Sequence, residues 1–259
     1  MIDIEHQGFI TKLYLNDPDS LNSLSIPLSK ALVEGLKEVS ARPQTRCLIV
    51  SGRGRMFCSG GNLKEFFTVE QPLDEYIDDA MVRVYNPVAA HLASLAVPVI
   101  CAVNGPAVGA GVAIALNADF TLMARSAWFK LPFVPSLGVV PDFGCSWFLG
   151  RRLPRHKAME LMLGDAKISA EEAASCDLIY RAVADDQLEE QALALATKIS
   201  QLPVDAVRMA KDTLVKAPEN SFAEQLQLER EYQVACFCSG YFKEGLAAFK
   251  EKRPAKFSQ

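Results

Sequence analysis

Two short apolar segments that each run into a glycine-rich turn constrain the fold of this chain most strongly. RCLIVS at 46–51 leads into GRGRMFCSGGN, and PVICAVN at 98–104 leads into GPAVGAGVAIALNAD. The second turn opens a short helix, and another apolar segment, FTLMA at 120–124, follows it. Strands that alternate with helices in this way predict crossover connections and a parallel sheet. We therefore expect an α/β core.

The remaining pattern places further elements around this core. Alternating apolar residues predict a strand over 8–15, and helical spacing predicts helices over 27–40 and 74–95. From residue 185 onward, nearly all of the sequence has helical spacing. No low-complexity or Pro/Ser-rich linker precedes this part. We expect a core over residues 1–195 and a helical region over 196–259 that packs on it.

The bulk composition excludes some classes of partner. Half of the 259 residues are hydrophobic, 22% are charged, and the net charge of −4 offers no broad attraction for nucleic acid or anionic lipid. The uncharged stretch 97–116 is about long enough to span a bilayer. However, Pro98, Pro106 and several glycines interrupt it, which favours a buried strand and turn. We expect neither a nucleic-acid partner nor a membrane segment.

Cysteine and histidine usage indicates the compartment. The seven cysteines lie mostly in apolar segments, and with the three histidines they show no metal-ligand spacing. An odd number of scattered cysteines favours a reducing environment. The first ten residues, MIDIEHQGFI, lack the basic and apolar regions of a secretory signal. We expect a cytoplasmic protein with no metal site.

The two glycine-rich turns are candidates for holding negative charge. We call residues 57–62 (FCSGGN) the first donor turn and residues 105–111 (GPAVGAG) the second donor turn. Glycine lets backbone N–H groups approach a ligand, and the second turn leads into a helix N-terminus. Together they could direct N–H donors at one oxyanion. Each turn could also be only a tight connection. Neither matches a nucleotide-binding motif, because GAGVAI departs from GxGxxG.

A single carboxylate, Asp142, interrupts the otherwise acid-free stretch between Lys130 and Arg151. Its surroundings, LGVVPDFGCSW, are largely apolar, and an ionised carboxylate is costly there unless something compensates it. One explanation is an N-cap for a helix that begins in FGCSWFLG. The other explanation is a general acid/base beside the donor turns.

In combination these elements resemble the crotonase (enoyl-CoA hydratase/isomerase) superfamily. The matching segments are SLNSL at 20–24, FCSGGNLKEF at 57–66, PVICAVNGPAVGAGVAIAL at 98–116, LGVVPDFG at 137–144 and EGLAAFKEKRPAKF near the end. The resemblance implies a crotonase-like spiral of ββα units with a C-terminal helical region that helps to build a homotrimer or a dimer of trimers. It also implies an acyl-CoA thioester substrate, whose oxygen is held by the backbone N–H groups of Ser59 and Ala110.

The resemblance also indicates which branch of the family applies. The two glutamates of the hydratases fall on Ala113 and Phe133, which are both apolar. Asp142 matches the acidic position of the isomerase branch, which includes Δ3,Δ2-enoyl-CoA isomerases and ring 1,2-epoxyphenylacetyl-CoA isomerases. The expected function is therefore an enoyl-CoA isomerase with Asp142 as the single acid/base. The alternatives are the ring epoxide isomerase and a non-catalytic acyl-CoA-binding trimer.

Further positions are carried over as candidates for contact with the acyl-CoA. They are Ser20, Cys58, Gly61, Leu63, Lys64, Phe133, Leu137, Phe249 and Lys252. The last two lie in a basic terminal cluster that could equally be a solvated helix end. No cofactor is expected, since coenzyme A is part of the substrate. Two departures from the family pattern are Asn62, where many relatives carry Asp, and Cys145-Ser146 in place of Gly-Thr.

Overall fold

The computed structural model describes residues 1–257. Within that range the strands are β1 (Ile2–Gln7), β2 (Ile10–Leu15), β3 (Cys47–Gly52), β4 (Val99–Val103), β5 (Ala107–Val108), β6 (Phe120–Ala124), β7 (Trp128–Lys130), β8 (Ile168–Ser169) and β9 (Arg181–Val183). The large sheet has the order β1-β2-β3-β4-β6-β9, in which β1 is antiparallel to β2 and all later neighbours are parallel. This arrangement confirms the predicted α/β core with a parallel sheet.

Helices cover and connect the strands. In the described residues they are α1 (Ile26–Ala41), α2 (Leu63–Phe66), α3 (Leu73–Ala80), α4 (Asn86–Ala93), α5 (Ala110–Asn117), α6 (Cys145–Arg152), α7 (Arg155–Leu163), α8 (Ala170–Ser175), α9 (Leu188–Ser200), α10 (Val204–Lys216), α11 (Phe222–Phe237) and α12 (Gly240–Glu251). Every residue of β2, β3 and β4 is buried, so both faces of the large sheet are covered. Helices α1 and α9 pack on these strands.

A second sheet, β5-β7-β8, runs beside the first. The donor turns extend it, because a parallel bridge joins Cys58 to Ala107 and another joins Leu24 to Gly61. The chain therefore passes repeatedly from a strand of the large sheet to a short segment of the second sheet and then into a helix. This is the spiral of ββα units that the crotonase resemblance implies.

The long helix expected over 74–95 is present, but it contains a π-turn. Helix α3 continues through Met81–Tyr85 in π geometry into α4. Pro87 has no N–H and cannot donate to the carbonyl four residues earlier, and the Asn86 N–H donates to the Met81 carbonyl five residues back. The π-turn places Tyr85 at its end, immediately before the proline.

The expected boundary between residues 195 and 196 falls inside α9, whose buried residues Ala192, Ala196 and Ile199 lie on both sides of it. This helix packs against β2, β3, β4 and β6, so the core extends to Ser200. An apolar helix face that covers a sheet continues to the end of the helix.

The helices after Ser200 bury little of their apolar surface. Neither α10 nor α11 contains a buried residue in the structure of residues 1–257, and α12 contains only Ala248. Their large exposed side chains are Leu214, Val215, Phe222, Leu226, Val234, Phe237, Phe242, Leu246 and Phe249. No helix in the described part of the chain is long and apolar enough to cross a membrane.

Candidate active site

The two donor turns lie against each other so closely that glycine is required. The Val108 N–H donates to the Cys58 carbonyl at 2.9 Å. A Cβ on Gly111 would stand 2.6 Å from that same carbonyl oxygen, and Gly60 has a φ of +86° with the Val108 carbonyl 2.8 Å from its Cβ position. Side chains at either position would push the turns apart. The glycines predicted to expose N–H groups therefore also join the two turns.

The second donor turn offers a free N–H group. Ala110 is the first residue of α5, after Gly109 in the N-cap position. Within residues 1–257 its N–H has no hydrogen-bond acceptor, as is usual in a first helical turn. The partial positive charge of a helix N-terminus adds to its attraction for an oxyanion. Ala110 therefore lies where the sequence placed a donor.

The donor of the first donor turn already has an acceptor within the chain. The Ser59 N–H donates to the Leu21 carbonyl at 3.1 Å. Leu21 has a φ of 61°, in the left-handed region, and this conformation directs its carbonyl at the turn. A thioester oxygen would have to replace the Leu21 carbonyl as the acceptor.

The SLNSL segment braces the first donor turn through Asn22. This side chain is fully buried, and its amide donates to the carbonyls of Arg53 and Met56 at 2.9 Å and of Phe57 at 3.2 Å. The Ser20 hydroxyl is also used locally, because it donates to the Asp17 carboxylate at 2.6 Å. This bond links Ser20 to the start of its own segment. A ligand could contact the Ser20 hydroxyl directly only if the bond to Asp17 were broken. The sequence analysis missed Asn22.

Asp142 does not cap a helix with its side chain. Helix α6 begins at Cys145 after Gly144, and no side chain accepts from its first N–H groups. Only the backbone carbonyl of Asp142 takes part, accepting from the Cys145 N–H at 2.8 Å. The Oδ1 atom is buried without a hydrogen-bond partner among the described residues. Burial raises the pKa of this carboxyl to about 6. The capping explanation is therefore wrong.

Helix α5, which begins at Ala110, packs against α6, which begins three residues after Asp142. The Arg152 guanidinium at the end of α6 donates to the Leu116 and Ala118 carbonyls at the end of α5, at 2.6 and 3.0 Å. These bonds hold the C-terminal ends of α5 and α6 together. Each helix has eight residues.

The sequence analysis missed Tyr85, which lies near Asp142, and Glu65, whose charge acts on Tyr85. The buried Tyr85 ring lies 5.9 Å from the Phe143 ring, measured between centroids. Burial raises the pKa of Tyr85, and the charges of Glu65 and Asp142 raise it further. Glu65 accepts from the Ile26 N–H at 3.2 Å, and burial raises the pKa of this carboxyl also. Only tertiary packing brings these groups together, so sequence spacing gave no signal.

Apolar side chains occupy the two positions where hydratases carry glutamate. Ala113 is buried in α5. Phe133 is also buried, and its ring would lie 3.5 Å from a Cβ on Gly109. The ring therefore covers the start of the second donor turn. Leu137 ends the π-turn Phe133–Leu137 and is exposed.

The side chain of the candidate Cys58 is enclosed between the donor turns. Its side chain is fully buried, with its Sγ 3.5 Å from the Gly60 nitrogen, and burial raises the pKa of the thiol to about 12. A side chain packed between the donor turns cannot contact a ligand without displacing them. Gly61 within the first donor turn and Leu63 and Lys64 just after it are exposed, where a ligand could reach them.

The terminal candidates lie apart from these groups in sequence and in hydrogen bonding. Phe249 is an exposed residue of α12, and Lys252 follows that helix with a φ of 55°. In the part of the chain described, no side-chain hydrogen bond or ion pair links either residue to the donor turns or Asp142. Nor do the described residues bring together three or more His, Cys, Asp or Glu side chains that could hold a metal ion.

Comparison with known proteins identifies the family. The family model described as enoyl-CoA hydratase/isomerase matches residues 5–259. The chain belongs to this family. It is 38% identical over 252 residues to the 1,2-epoxyphenylacetyl-CoA isomerase of Escherichia coli K12, covering 97% of this chain and 95% of that protein. A probable enoyl-CoA hydratase of Rhizobium meliloti is 34% identical over 254 residues, covering 98% and 96%.

Solved structures agree with the assignment. The enoyl-CoA hydratase of Bacillus anthracis superposes with a TM-score of 0.92 at 31% identity, and the match covers 100% of this chain and 99% of that one. The chain is thus an enzyme of the enoyl-CoA hydratase/isomerase family with the crotonase fold. The names of its relatives include both hydratases and an isomerase. The comparisons therefore leave hydration and isomerisation open, and the side chains of the site have to distinguish them.

Proposed function

We propose that this enzyme is an acyl-CoA isomerase that moves a double bond from C3 to C2 of a thioester. The observation that carries the proposal is the Asp142 carboxylate, whose Oδ1 is buried without a partner among the described residues and whose pKa is raised to about 6. The hydratase positions are Ala113 and Phe133, which cannot activate water. A carboxylate poised near the operating pH in apolar surroundings suits proton transfer and opposes hydration.

One carboxylate can perform both proton transfers. Asp142 takes the proton from C2, and the electrons of that C–H bond form an enolate with the thioester. The enolate then collapses to a C2=C3 double bond while the former C3=C4 electrons take the proton back from Asp142 at C4. The same group is thus first base and then acid. Charge on the thioester oxygen is stabilised by the Ala110 N–H, and by the Ser59 N–H once the Leu21 carbonyl yields it.

Asp142→Asn tests this proposal. Loss of the only base should reduce turnover of 3-hexenoyl-CoA by about 1,000-fold or more, which a continuous absorbance assay would measure. Circular dichroism and calorimetric titration with an acyl-CoA should show an intact fold and intact binding. Asp186→Asn, at an exposed aspartate outside the site, is the matched control and should keep full activity. Near-normal turnover by the Asp142 variant would refute the assignment.

A ring epoxide of phenylacetyl-CoA is the second candidate substrate. A relative that is 38% identical is named 1,2-epoxyphenylacetyl-CoA isomerase, and the same carboxylate and donors would serve a proton transfer next to the thioester. Purified enzyme should be assayed with 3-hexenoyl-CoA, a 2,5-dienoyl-CoA and the phenylacetyl-CoA epoxide. The ratio of kcat/KM values assigns the substrate class. Binding without proton exchange at C2 in deuterated water would instead support a non-catalytic acyl-CoA-binding protein.

We also propose that the chain assembles as a trimer or a dimer of trimers through its C-terminal helices. The apolar side chains of α10, α11 and α12 are exposed in the single chain. Exposed apolar surface on this scale marks a binding face. Phe249 and Lys252, which form no side-chain hydrogen bond or ion pair with the site among the described residues, would then be available to an acyl-CoA in a neighbouring subunit.

A further inference from the structure

The hydroxyl of Tyr85 is a polar group that the proposed proton transfer does not use. Its ring is 5% exposed, and it ends the π-turn forced by Pro87 in the middle of a long helix. Turns of this kind inside helices occur frequently at functional sites, because they redirect a side chain at the cost of a helical hydrogen bond. Here the redirected side chain packs on Phe143, the residue next to Asp142.

The Tyr85 hydroxyl forms no hydrogen bond with residues 1–257. The hydroxyls of Tyr180 and Tyr232 do form side-chain hydrogen bonds, and buried tyrosine hydroxyls usually find a partner. The Tyr85 oxygen is not fully enclosed, unlike the unpaired Oδ1 of Asp142. The oxygen therefore keeps access to solvent from an otherwise buried ring. A hydroxyl in this position can donate to a bound molecule.

The surroundings of Tyr85 determine which chemical group of a bound molecule can pair with its hydroxyl. Burial and the nearby carboxylates of Glu65 and Asp142 keep the phenol protonated by raising its pKa. The hydroxyl is therefore a donor at physiological pH, and its natural partner is an acceptor oxygen. An unsubstituted hydrocarbon chain has no such atom and would leave the hydroxyl desolvated and unpaired.

We infer that Tyr85 is a specificity-determining residue that donates a hydrogen bond to an oxygen atom on the acyl group. The site then prefers acyl groups derived from an oxygenated ring to plain hydrocarbon ones. The aromatic faces of Tyr85 and Phe143 suit a ring at the same place. This inference rests on the proposed acyl-CoA site around Asp142, and it narrows the substrate class within it. Sites built to hydrogen-bond a substrate oxygen discriminate strongly against analogues that lack it.

A pair of unreactive ligands tests the inference without turnover. Phenylacetyl-CoA and 2-hydroxyphenylacetyl-CoA differ by one ring oxygen, and calorimetric titration gives both dissociation constants. The wild-type enzyme should bind the oxygenated ligand about 10-fold more tightly, which corresponds to one hydrogen bond to a buried group. Tyr85→Phe should lose that preference while binding phenylacetyl-CoA as before. Tyr180→Phe removes an exposed hydroxyl elsewhere and should retain it.

Three results would overturn the inference. The first is equal binding of the two ligands by the wild-type enzyme, and the second is an unchanged preference in Tyr85→Phe. Equal weakening of both ligands in Tyr85→Phe would also overturn it, because that indicates a packing role. These readouts do not involve Asp142 chemistry. Failure of the isomerase proposal would appear as turnover retained in Asp142→Asn, whatever the binding preference.

Discussion

At the scale of single residues, the burial of an ionisable group at Asp142 explains two properties. It lowers the stability of the folded chain, and it makes the carboxylate suitable for proton transfer. An ionised carboxylate with an unpaired, buried oxygen is less stable in the folded chain than in water. Because its folded pKa is raised, ionised Asp142 opposes folding above about pH 6, and this cost fades as the pH falls towards 3.8. A residue that lowers stability at neutral pH is retained when its chemistry is needed.

The pH dependence of the reaction follows from the same pKa. Asp142 must be ionised to accept the C2 proton, so kcat/KM should rise with pH through an apparent pKa of about 6 and level off above it. The measurement is a kcat/KM profile from pH 4.5 to 8 with 3-hexenoyl-CoA. Stability at each pH should be verified by preincubation. If kcat/KM instead rose near pH 4, as expected for a solvated aspartate, this would contradict the burial that the structure shows.

The sequence identified a residue of the candidate site only where the pattern of charges along the chain singled it out. Asp142 stands out because no other acid lies between Lys130 and Arg151. Tyr85 and Glu65 do not stand out, since the proximity of Tyr85 to Asp142 and of Glu65 to Tyr85 depends on the π-turn and on the packing of α1 against the first donor turn. The bond from the Ser59 N–H to Leu21 depends on a left-handed leucine, a conformation that sequence rarely indicates.

At the scale of elements, the close contact of the two donor turns fixes the relative positions of their N–H groups. Gly111 lies at the point of closest approach, where a Cβ would stand 2.6 Å from the Cys58 carbonyl oxygen and 2.8 Å from the Cys58 Cβ. Both atoms belong to a fully buried residue that cannot move aside easily. The relative position of the two donor turns therefore requires that residue 111 has no Cβ.

Gly111→Ala should separate the donor turns. We expect at least a 10-fold loss of kcat/KM for 3-hexenoyl-CoA and about 1–3 kcal/mol lower stability in urea, as for other overpacked buried sites. Gly150→Ala is the matched control, because it lies in α6 with nothing within 4 Å of its Cβ position. This control should keep its activity and be as stable or slightly more stable. Equal behaviour of the two variants would refute the role given to Gly111.

Element types were more predictable than their details. The buried strands at 46–51 and 98–104 and the helices over 27–40 and 74–95 appear close to their expected positions. The strand expected over 8–15 begins instead at Ile10, because Gly8 turns the chain back from β1 with a φ of +60°. The boundary inside α9 was missed because a helix that covers a sheet has the same periodicity as one outside the core.

At the scale of the whole molecule, strand–helix alternation predicted only an α/β core, and the crotonase spiral was expected from the resemblance of the motifs to that family. The large sheet is covered on both faces within one chain. The C-terminal helices are different, since α10 and α11 bury no residue in the described chain. Amphipathic helices without a covered face are stable when a partner covers them. A second copy of the chain is the partner proposed for them.

Light scattering coupled to size-exclusion chromatography tests this assembly. The wild-type protein should elute with three or six times the 28.3 kDa mass of one chain. Phe222→Glu combined with Leu226→Glu places two charges on exposed apolar positions of α11 and should shift the mass towards that of one chain. Met159→Glu, at an exposed position of α7 outside the C-terminal helices, is the control and should leave the mass unchanged. A monomeric wild-type protein would refute the assembly, and an unchanged mass in the double variant would exclude this face of α11 from it.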